Sequence, residues 1–188
     1  MTIKINADLV LFFDMDGTLI DTNLANFLSY EKAIHSITKS NHNLKYNPDI
    51  RFNRNNLKNV VPDLKDDDYE KIIQTKEEYY KDFLPETKLI KPFADILFKY
   101  SSTNKTVLVT NCRQDRAAET LEYHGLTNQF SNLFFRHFEM NGRQVNKFEK
   151  ALAELGVSPE FVIAFENEEI EIADAKKAGI RIINPVIE

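Results

Sequence analysis

The chain has 188 residues, of which 43% are hydrophobic and 28% charged, with a net charge of −5; that is enough to bury a real core and suits one domain plus an insertion. The negative balance argues against a general nucleic-acid or anionic-membrane surface, and it requires any site for an anionic substrate to be locally positive. A single cysteine excludes an intramolecular disulfide framework, the opening residues lack the apolar stretch of a signal peptide, and no apolar run reaches membrane-spanning length, so a cytoplasmic setting is expected.

Residues 8–13 are predicted as the first strand, because Leu9-Val10-Leu11-Phe12-Phe13 is the continuous apolar run of a strand buried on both faces. Asp14-Met15-Asp16-Gly17-Thr18 follows, with Gly17 allowing a sharp turn. Two carboxylates thus stand at the carboxyl end of a strand, where open α/β sheets hold ligands. Such a pair suits magnesium, which takes oxygen ligands, and a carboxylate can attack phosphorus to form an acyl phosphate. Asp21, Thr22 and Asn23 are candidate N-caps for a helix over 24–39, and capping is the plainer reading of Asp21.

Residues 40–68 are rich in asparagine, including Asn41, Asn43, Asn53 and Asn56, with Pro48 and Pro62, and read as short helices and loops. A longer helix is predicted over 67–83, ended by Pro85. Residues 22–88 are accordingly expected to form a small helical module inserted after the first strand, with a core domain made of 1–21 and 89–188. From Pro92 onward helices and strands alternate: helix 92–101, strand 106–110, helix 114–124 closed by Gly125, strand 133–135, helix 146–155 closed by Gly156, strand 161–165, helix 169–178 closed by Gly179, and strand 181–183. That alternation implies a parallel sheet with helices on both faces.

Three further groups of residues can carry chemistry. Thr110 and Asn111 end a buried strand just before a helix, where a hydroxyl and backbone N–H groups can hold phosphoryl oxygens. Lys147 opens a helix and could neutralise charge developing between a carboxylate and a phosphoryl group, with Lys150 as the fallback. Glu166-Asn167-Glu168-Glu169-Ile170-Glu171 follows a buried strand; its acids also make a favourable first helical turn, each contributing about 0.3–1 kcal/mol. Cys112 reads as a small buried residue and Arg113 as a solvated one.

Phe13-Asp14-Met15-Asp16-Gly17-Thr18-Leu19-Ile20-Asp21 resembles the first signature of the haloacid dehalogenase superfamily, in particular its phosphoglycolate phosphatase and β-phosphoglucomutase-like members with a helical cap. Thr110, Lys147 and the 166–171 stretch resemble the later motifs in the same order, and Ile172-Ala173-Asp174-Ala175-Lys176-Lys177-Ala178-Gly179 resembles the helix after the last one. The resemblance implies a Rossmann-like core with a cap at 22–88 and a magnesium-dependent phosphatase acting on a small phosphorylated metabolite. It makes Asp14 the nucleophile, Asp16 the general acid and base, Thr110 and Lys147 the phosphoryl-holding groups, and Asp14, Asp16, Asn167 and Glu166 the metal site. Asn111, with Arg51 and Arg54 in the cap, would bind substrate. The dehalogenases of the superfamily lack the second acid, so Asp16 argues for phosphoryl transfer.

Asn167 departs from the pattern, since capped members usually carry an acid there. An amide carbonyl can still ligate magnesium, with one negative charge fewer. A weakly active or inactive binding protein therefore stands as one alternative, and a phosphomutase of the β-phosphoglucomutase type, which would use the same core residues, as another. The expected partners are a small phosphorylated substrate, no nucleic acid and no membrane, with the chain a monomer or weak homodimer.

Overall fold

Burial on two faces decides which apolar runs become sheet. In the computed structural model, which describes residues 2–40, 42, 44–140, 142 and 144–188, the strands are Thr2–Ile3 (β1), Val10–Phe13 (β2), Ile20–Asp21 (β3), Lys88–Leu89 (β4), Thr106–Val109 (β5), Asn132–Phe134 (β6), Val162–Phe165 (β7), Ile182–Ile183 (β8) and Val186–Ile187 (β9). The helices are Asn23–Thr38 (α1), Arg54–Val60 (α2), Asp66–Tyr80 (α3), Lys91–Tyr100 (α4), Gln114–Tyr123 (α5), Lys147–Leu155 (α6) and Glu169–Lys177 (α7). Asn41 and Asn43 of the asparagine-rich stretch lie outside the described residues.

Five strands form one sheet in the order β6-β5-β2-β7-β8, and every neighbouring pair is parallel. Side chains alternate across it, as the period of two requires. Leu11, Phe13, Leu108, Ile163 and Phe165 pack with Ala94 and Leu97 of α4 and Ala117 and Leu121 of α5. Val10, Phe12, Val107, Val109, Val162 and Ala164 pack with Phe148, Ala151 and Leu152 of α6 and Ala175 of α7. This is the expected parallel sheet with helices on both faces.

The chain divides into two compact units, Met1–Ile20 with Leu89–Glu188, and Asp21–Lys88. The first holds the sheet. The second is helical, and its core is Tyr30, Ala33 and Ile34 of α1, Leu57 of α2, and Tyr69 and Ile72 of α3. Thr22 stands at the N-cap of α1 with no side-chain bond to the helix start; the Asp21 carboxylate accepts from the N–H of Asn23, the first helical residue, at 3.0 Å, a local turn that satisfies one of the helix's unpaired donors. The acids Asp66, Asp67 and Asp68 fill the first turn of α3, where the helix dipole favours them.

Several boundaries differ from the expectation. α3 stops at Tyr80, and Lys81–Glu86 tightens into a 3₁₀ turn that carries Pro85. Phe161 belongs to a 3₁₀ turn, Pro159–Phe161, and is 48% exposed rather than buried in a strand. Two ribbons, β1 with β9 and β3 with β4, are additional; strands of two residues are too short to show a period. Among the described residues no helix is long and apolar enough to cross a membrane.

Candidate active site

The strand order creates a crevice. From β2 at the centre the chain builds β5 and β6 to one side, then crosses to β7 and β8 on the other. Ligands of open α/β sheets gather where that direction reverses, at the carboxyl ends of the strands. Asp14 follows β2 and Glu166 follows β7, and the Asp14 N–H donates to the Phe165 carbonyl at 3.0 Å. The preceding rings, Phe13 and Phe165, stack with centroids 4.7 Å apart, which fixes the two strand ends side by side.

Lys147 is the first residue of α6, on the segment that crosses between the two halves of the sheet. The Asn146 side chain caps that helix, accepting from the N–H groups of Phe148 at 2.9 Å and Glu149 at 3.2 Å, while its own amide donates to the Asp174 carbonyl of α7 at 3.0 Å. The helix start is therefore docked before its lysine is used. The Lys147 Nζ donates to Asp14 Oδ1 and Glu166 Oε2, each at 2.7 Å, and lies 3.3 Å from Glu171 Oε2. Lys147, Asp14 and Glu166 are all buried. Burial alone would lower the ammonium; the three carboxylates around it overcome that and hold it well above its usual range.

Glu166 is held from several directions. Its Oε1 accepts from the N–H groups of Asn167 at 2.9 Å and Glu168 at 3.1 Å. Its backbone is clamped by Asn184, whose Oδ1 accepts from the Glu166 N–H at 3.0 Å and whose Nδ2 donates to the Glu166 carbonyl at 2.6 Å. Asn184 takes a left-handed conformation, with φ 48, a region that asparagine tolerates better than most residues. Burial pushes the Glu166 carboxyl up to about 7; the Asp14 charge adds to this and Lys147 opposes it. With Oε2 on Lys147 and Oε1 on its own loop, Glu166 anchors the lysine in this geometry.

Asp16 has a different cation. The Arg116 Nη2 of α5 donates to Asp16 Oδ2 at 2.9 Å, and the Arg116 Nε donates to Cys112 Sγ at 2.9 Å. Between the two acids the loop folds on itself: the N–H groups of Leu19 and Ile20 donate to the Met15 carbonyl, and the Gly17 N–H donates to the Ile20 carbonyl at 2.7 Å. Gly17 has φ +83, and a Cβ there would lie 2.7 Å from Asn167 Nδ2, so glycine admits both the turn and the close approach of Asn167. The Thr18 hydroxyl donates to Asn167 Oδ1 at 2.9 Å, which holds the amide against the loop.

Thr110 is buried; its N–H donates to the Phe134 carbonyl at 2.9 Å, and its hydroxyl oxygen accepts from the Cys112 N–H at 3.1 Å. Asn111 Nδ2 donates to Glu171 Oε1 at 2.6 Å, and its Oδ1 is buried with no hydrogen-bond partner among the described residues. Lys150 pairs with Glu154 and Arg113 with Asp115 in exposed ion pairs, away from the cluster. Arg51 and Arg54 belong to the helical unit, Arg51 just before α2 and Arg54 at its first position.

Asp14, Asp16, Thr110, Asn111, Lys147, Glu166 and Asn167 thus all lie in the sheet unit, at strand ends or helix starts. Sequence reasoning alone gives no separate role to Arg116, Thr18 or Asn184, and it reaches Glu171 only as one of a run of acids. Arg116 has one legible signal: it stands in the first turn of a helix that leaves a site loop.

The donor set can be tested for magnesium. Among the described residues, four carboxylates, Asp14, Asp16, Glu166 and Glu171, face two cations, Lys147 and Arg116, which leaves a formal excess of two negative charges. Burial, with the Asp14 charge added to it, is what raises the Glu166 carboxyl. All the candidate ligands are oxygens, and a divalent cation would balance the charge. Among the described residues no group of three or more His, Cys, Asp or Glu is placed to hold an ion. Oxygen donors of this kind fit a hard divalent cation that completes its shell with water and substrate oxygens.

Comparison with known proteins identifies the family and the fold. The family model described as haloacid dehalogenase-like hydrolase matches residues 11–184. A phosphorylated carbohydrates phosphatase from Thermotoga maritima is 26% identical over 189 residues, covering 94% of this chain and 84% of the relative. A Thermotoga maritima crystal structure assigned as a β-phosphoglucomutase superposes with a TM-score of 0.69 at 26% identity, covering 96% of this chain and 86% of the other. CbbY from Rhodobacter sphaeroides, solved in complex with phosphate, gives 0.72 at 18% identity, over 94% and 85%, and speaks to the fold alone. The chain belongs to the haloacid dehalogenase-like hydrolase family, and it is an enzyme of that hydrolase class.

Proposed function

We propose that the protein is a magnesium-dependent phosphatase that hydrolyses a small phosphorylated metabolite through a phosphoryl group carried on Asp14. The observation that carries this is the buried pair of Asp14 and Lys147 at 2.7 Å, at the reversal point of the sheet. A carboxylate oriented by a buried ammonium at a strand end is a suitable nucleophile.

Lys147 donates to Asp14 Oδ1, and a carboxylate oxygen of Asp14 attacks phosphorus. As the new O–P bond forms, the bond to the leaving oxygen breaks, and Asp16, which enters this step carrying a proton, delivers that proton to the leaving oxygen. Asp16, now ionised, takes a proton from a water molecule whose oxygen attacks phosphorus. The Asp14–phosphorus bond breaks, the Asp14 carboxylate returns, and inorganic phosphate leaves. Lys147 stabilises the phosphoryl oxygens as their charge changes, and Thr110 and Asn111 orient them; the buried Asn111 Oδ1 and Thr110 hydroxyl are polar groups in the right loop. Asp14, Asp16 and the Asn167 carbonyl would hold magnesium, which when bound supplies positive charge to the phosphoryl oxygens. Glu166 is given the task of fixing Lys147.

Residues 22–88 are proposed as a cap, with Arg51 and Arg54 recognising the part of the substrate remote from phosphorus, a role to which the bidentate guanidinium is suited. Sugar phosphates are the first class to assay, because the relative at 26% identity is named for phosphorylated carbohydrates. A cytoplasmic setting and a monomer or weak dimer remain part of this proposal, the first resting on the single cysteine. Hydrolysis of para-nitrophenyl phosphate with magnesium, lost on chelation and lost in Asp14→Asn with the fold retained by circular dichroism, is the expected result. An Asp14→Asn variant as active as wild type would overturn the assignment of the nucleophile.

A further inference from the structure

The two neighbouring acids of the opening loop are each given their own cation. Lys147 serves Asp14 from the far side of the crevice, and Arg116 serves Asp16 from α5. From the Asp16–Arg116 geometry we infer that Arg116 is a positioning residue for Asp16: it sets the direction in which the acid meets first the leaving oxygen and then water. This inference rests on the phosphatase reading above, in which Asp16 moves both protons.

The contact is built rather than incidental. Only 11% of the Arg116 side chain and 6% of the Asp16 side chain are exposed. The guanidinium is planar, and two of its nitrogens are fixed at different points, Nη2 on Asp16 Oδ2 and Nε on Cys112 Sγ, each at 2.9 Å. Two anchors on a rigid plane define its orientation, which a lysine ammonium on a flexible stem would not achieve. The start of α5 also sorts its arginines: Arg113 turns out to an exposed pair with Asp115, while Arg116 turns in. Cys112 in turn has its N–H on the Thr110 hydroxyl at 3.1 Å, so the loop that would hold phosphate and the arginine that holds Asp16 share one small network. A carboxyl displaced by an ångström from its proton's path costs a large factor in rate.

A double-mutant cycle tests this, read with para-nitrophenyl phosphate and magnesium. Arg116→Gln is expected to lower kcat by about 10–100-fold, the range for residues that orient a reacting group, with KM within about threefold of wild type. Arg116→Lys should recover part of that loss. Cys112→Ala, which removes the acceptor of the second anchor without removing the charge, should cost a few-fold and serves if Arg116→Gln fails to fold. In an Asp16→Asn background both substitutions should have no further effect on kcat, because what they orient is gone. The rise in melting temperature produced by inorganic phosphate with magnesium should survive in Arg116→Gln. Equal losses in the two backgrounds, a loss confined to KM, or disappearance of the phosphate-induced rise would each overturn the inference by making Arg116 an independent ligand of substrate. A wild-type chain that hydrolyses no phosphate ester would instead overturn the phosphatase reading, and the inference with it.

Discussion

Replacing Lys147 by methionine keeps an unbranched stem in the crevice, with sulfur in place of Cδ, and removes the ammonium. Wild type sets four carboxylates against Lys147 and Arg116; the variant leaves the same four with Arg116. The ammonium makes two 2.7 Å hydrogen bonds, to Asp14 and Glu166, and no side chain in either pair is more than 8% exposed. Removing one partner of a buried pair costs about 3–5 kcal/mol. For a chain of this size about 2–4 °C of melting temperature accompanies each kcal/mol, so the sheet unit should melt about 6–20 °C lower. Acid should shrink the loss. The Glu166 carboxyl is raised to about 7, above its ordinary 4.5, so its protonated form is favoured by the fold, and that stabilisation is present below about 4.5 and lost as pH rises through about 7. Without Lys147 the repulsion is stronger, so the difference from wild type should be greater at pH 8 than at pH 5. Calorimetry in EDTA at the two pH values is the assay, with turnover of para-nitrophenyl phosphate expected to vanish in parallel. Melting within about 2 °C of wild type at both values would refute the view that the ammonium holds the cluster together.

Asn167→Asp should tighten magnesium binding by several-fold, measured by titration calorimetry, because it adds a carboxylate where the Thr18 hydroxyl already supplies a 2.9 Å donor; equal or weaker affinity would place position 167 away from the ion. Gly17→Ala should cost about 1–2 kcal/mol in chemical denaturation and weaken magnesium binding, since its φ of +83 disfavours a side chain and its Cβ would come within 2.7 Å of Asn167 Nδ2. Asn184→Ala removes both bonds to the Glu166 backbone and leaves an alanine at φ 48; a loss of about 2–3 kcal/mol is expected, with activity falling because Lys147 loses its anchor. Arg51→Ala and Arg54→Ala should raise KM for the physiological substrate and leave para-nitrophenyl phosphate turnover nearly unchanged, as steady-state kinetics on both substrates would show.

The buried strands were legible because each is a short unbroken apolar run, and a parallel sheet covered on both faces demands that pattern. Asp14, Asp16, Thr110 and Glu166 were legible for a related reason: each directly follows such a run, or stands within three residues of one, and strand ends are where this architecture keeps its chemistry. Lys147 needed more, since a lysine at a helix start is ordinarily solvated, and only the order of motifs along the chain distinguished it from Lys150. Folding separates the two: Lys147 turns into the carboxylates, and Lys150 pairs with Glu154 at the surface.

By itself, then, the sequence determined the succession of strands and helices and the acids at their ends, because these depend on hydrophobic runs and turn residues within a few positions of one another. Tertiary structure alone decided which cation each acid receives. The strand order β6-β5-β2-β7-β8 and the facing of α5 and α6 bring Arg116 to Asp16 across 100 positions and Lys147 to Asp14 across 133. Contacts at that range follow from how layers stack, and no local propensity encodes them.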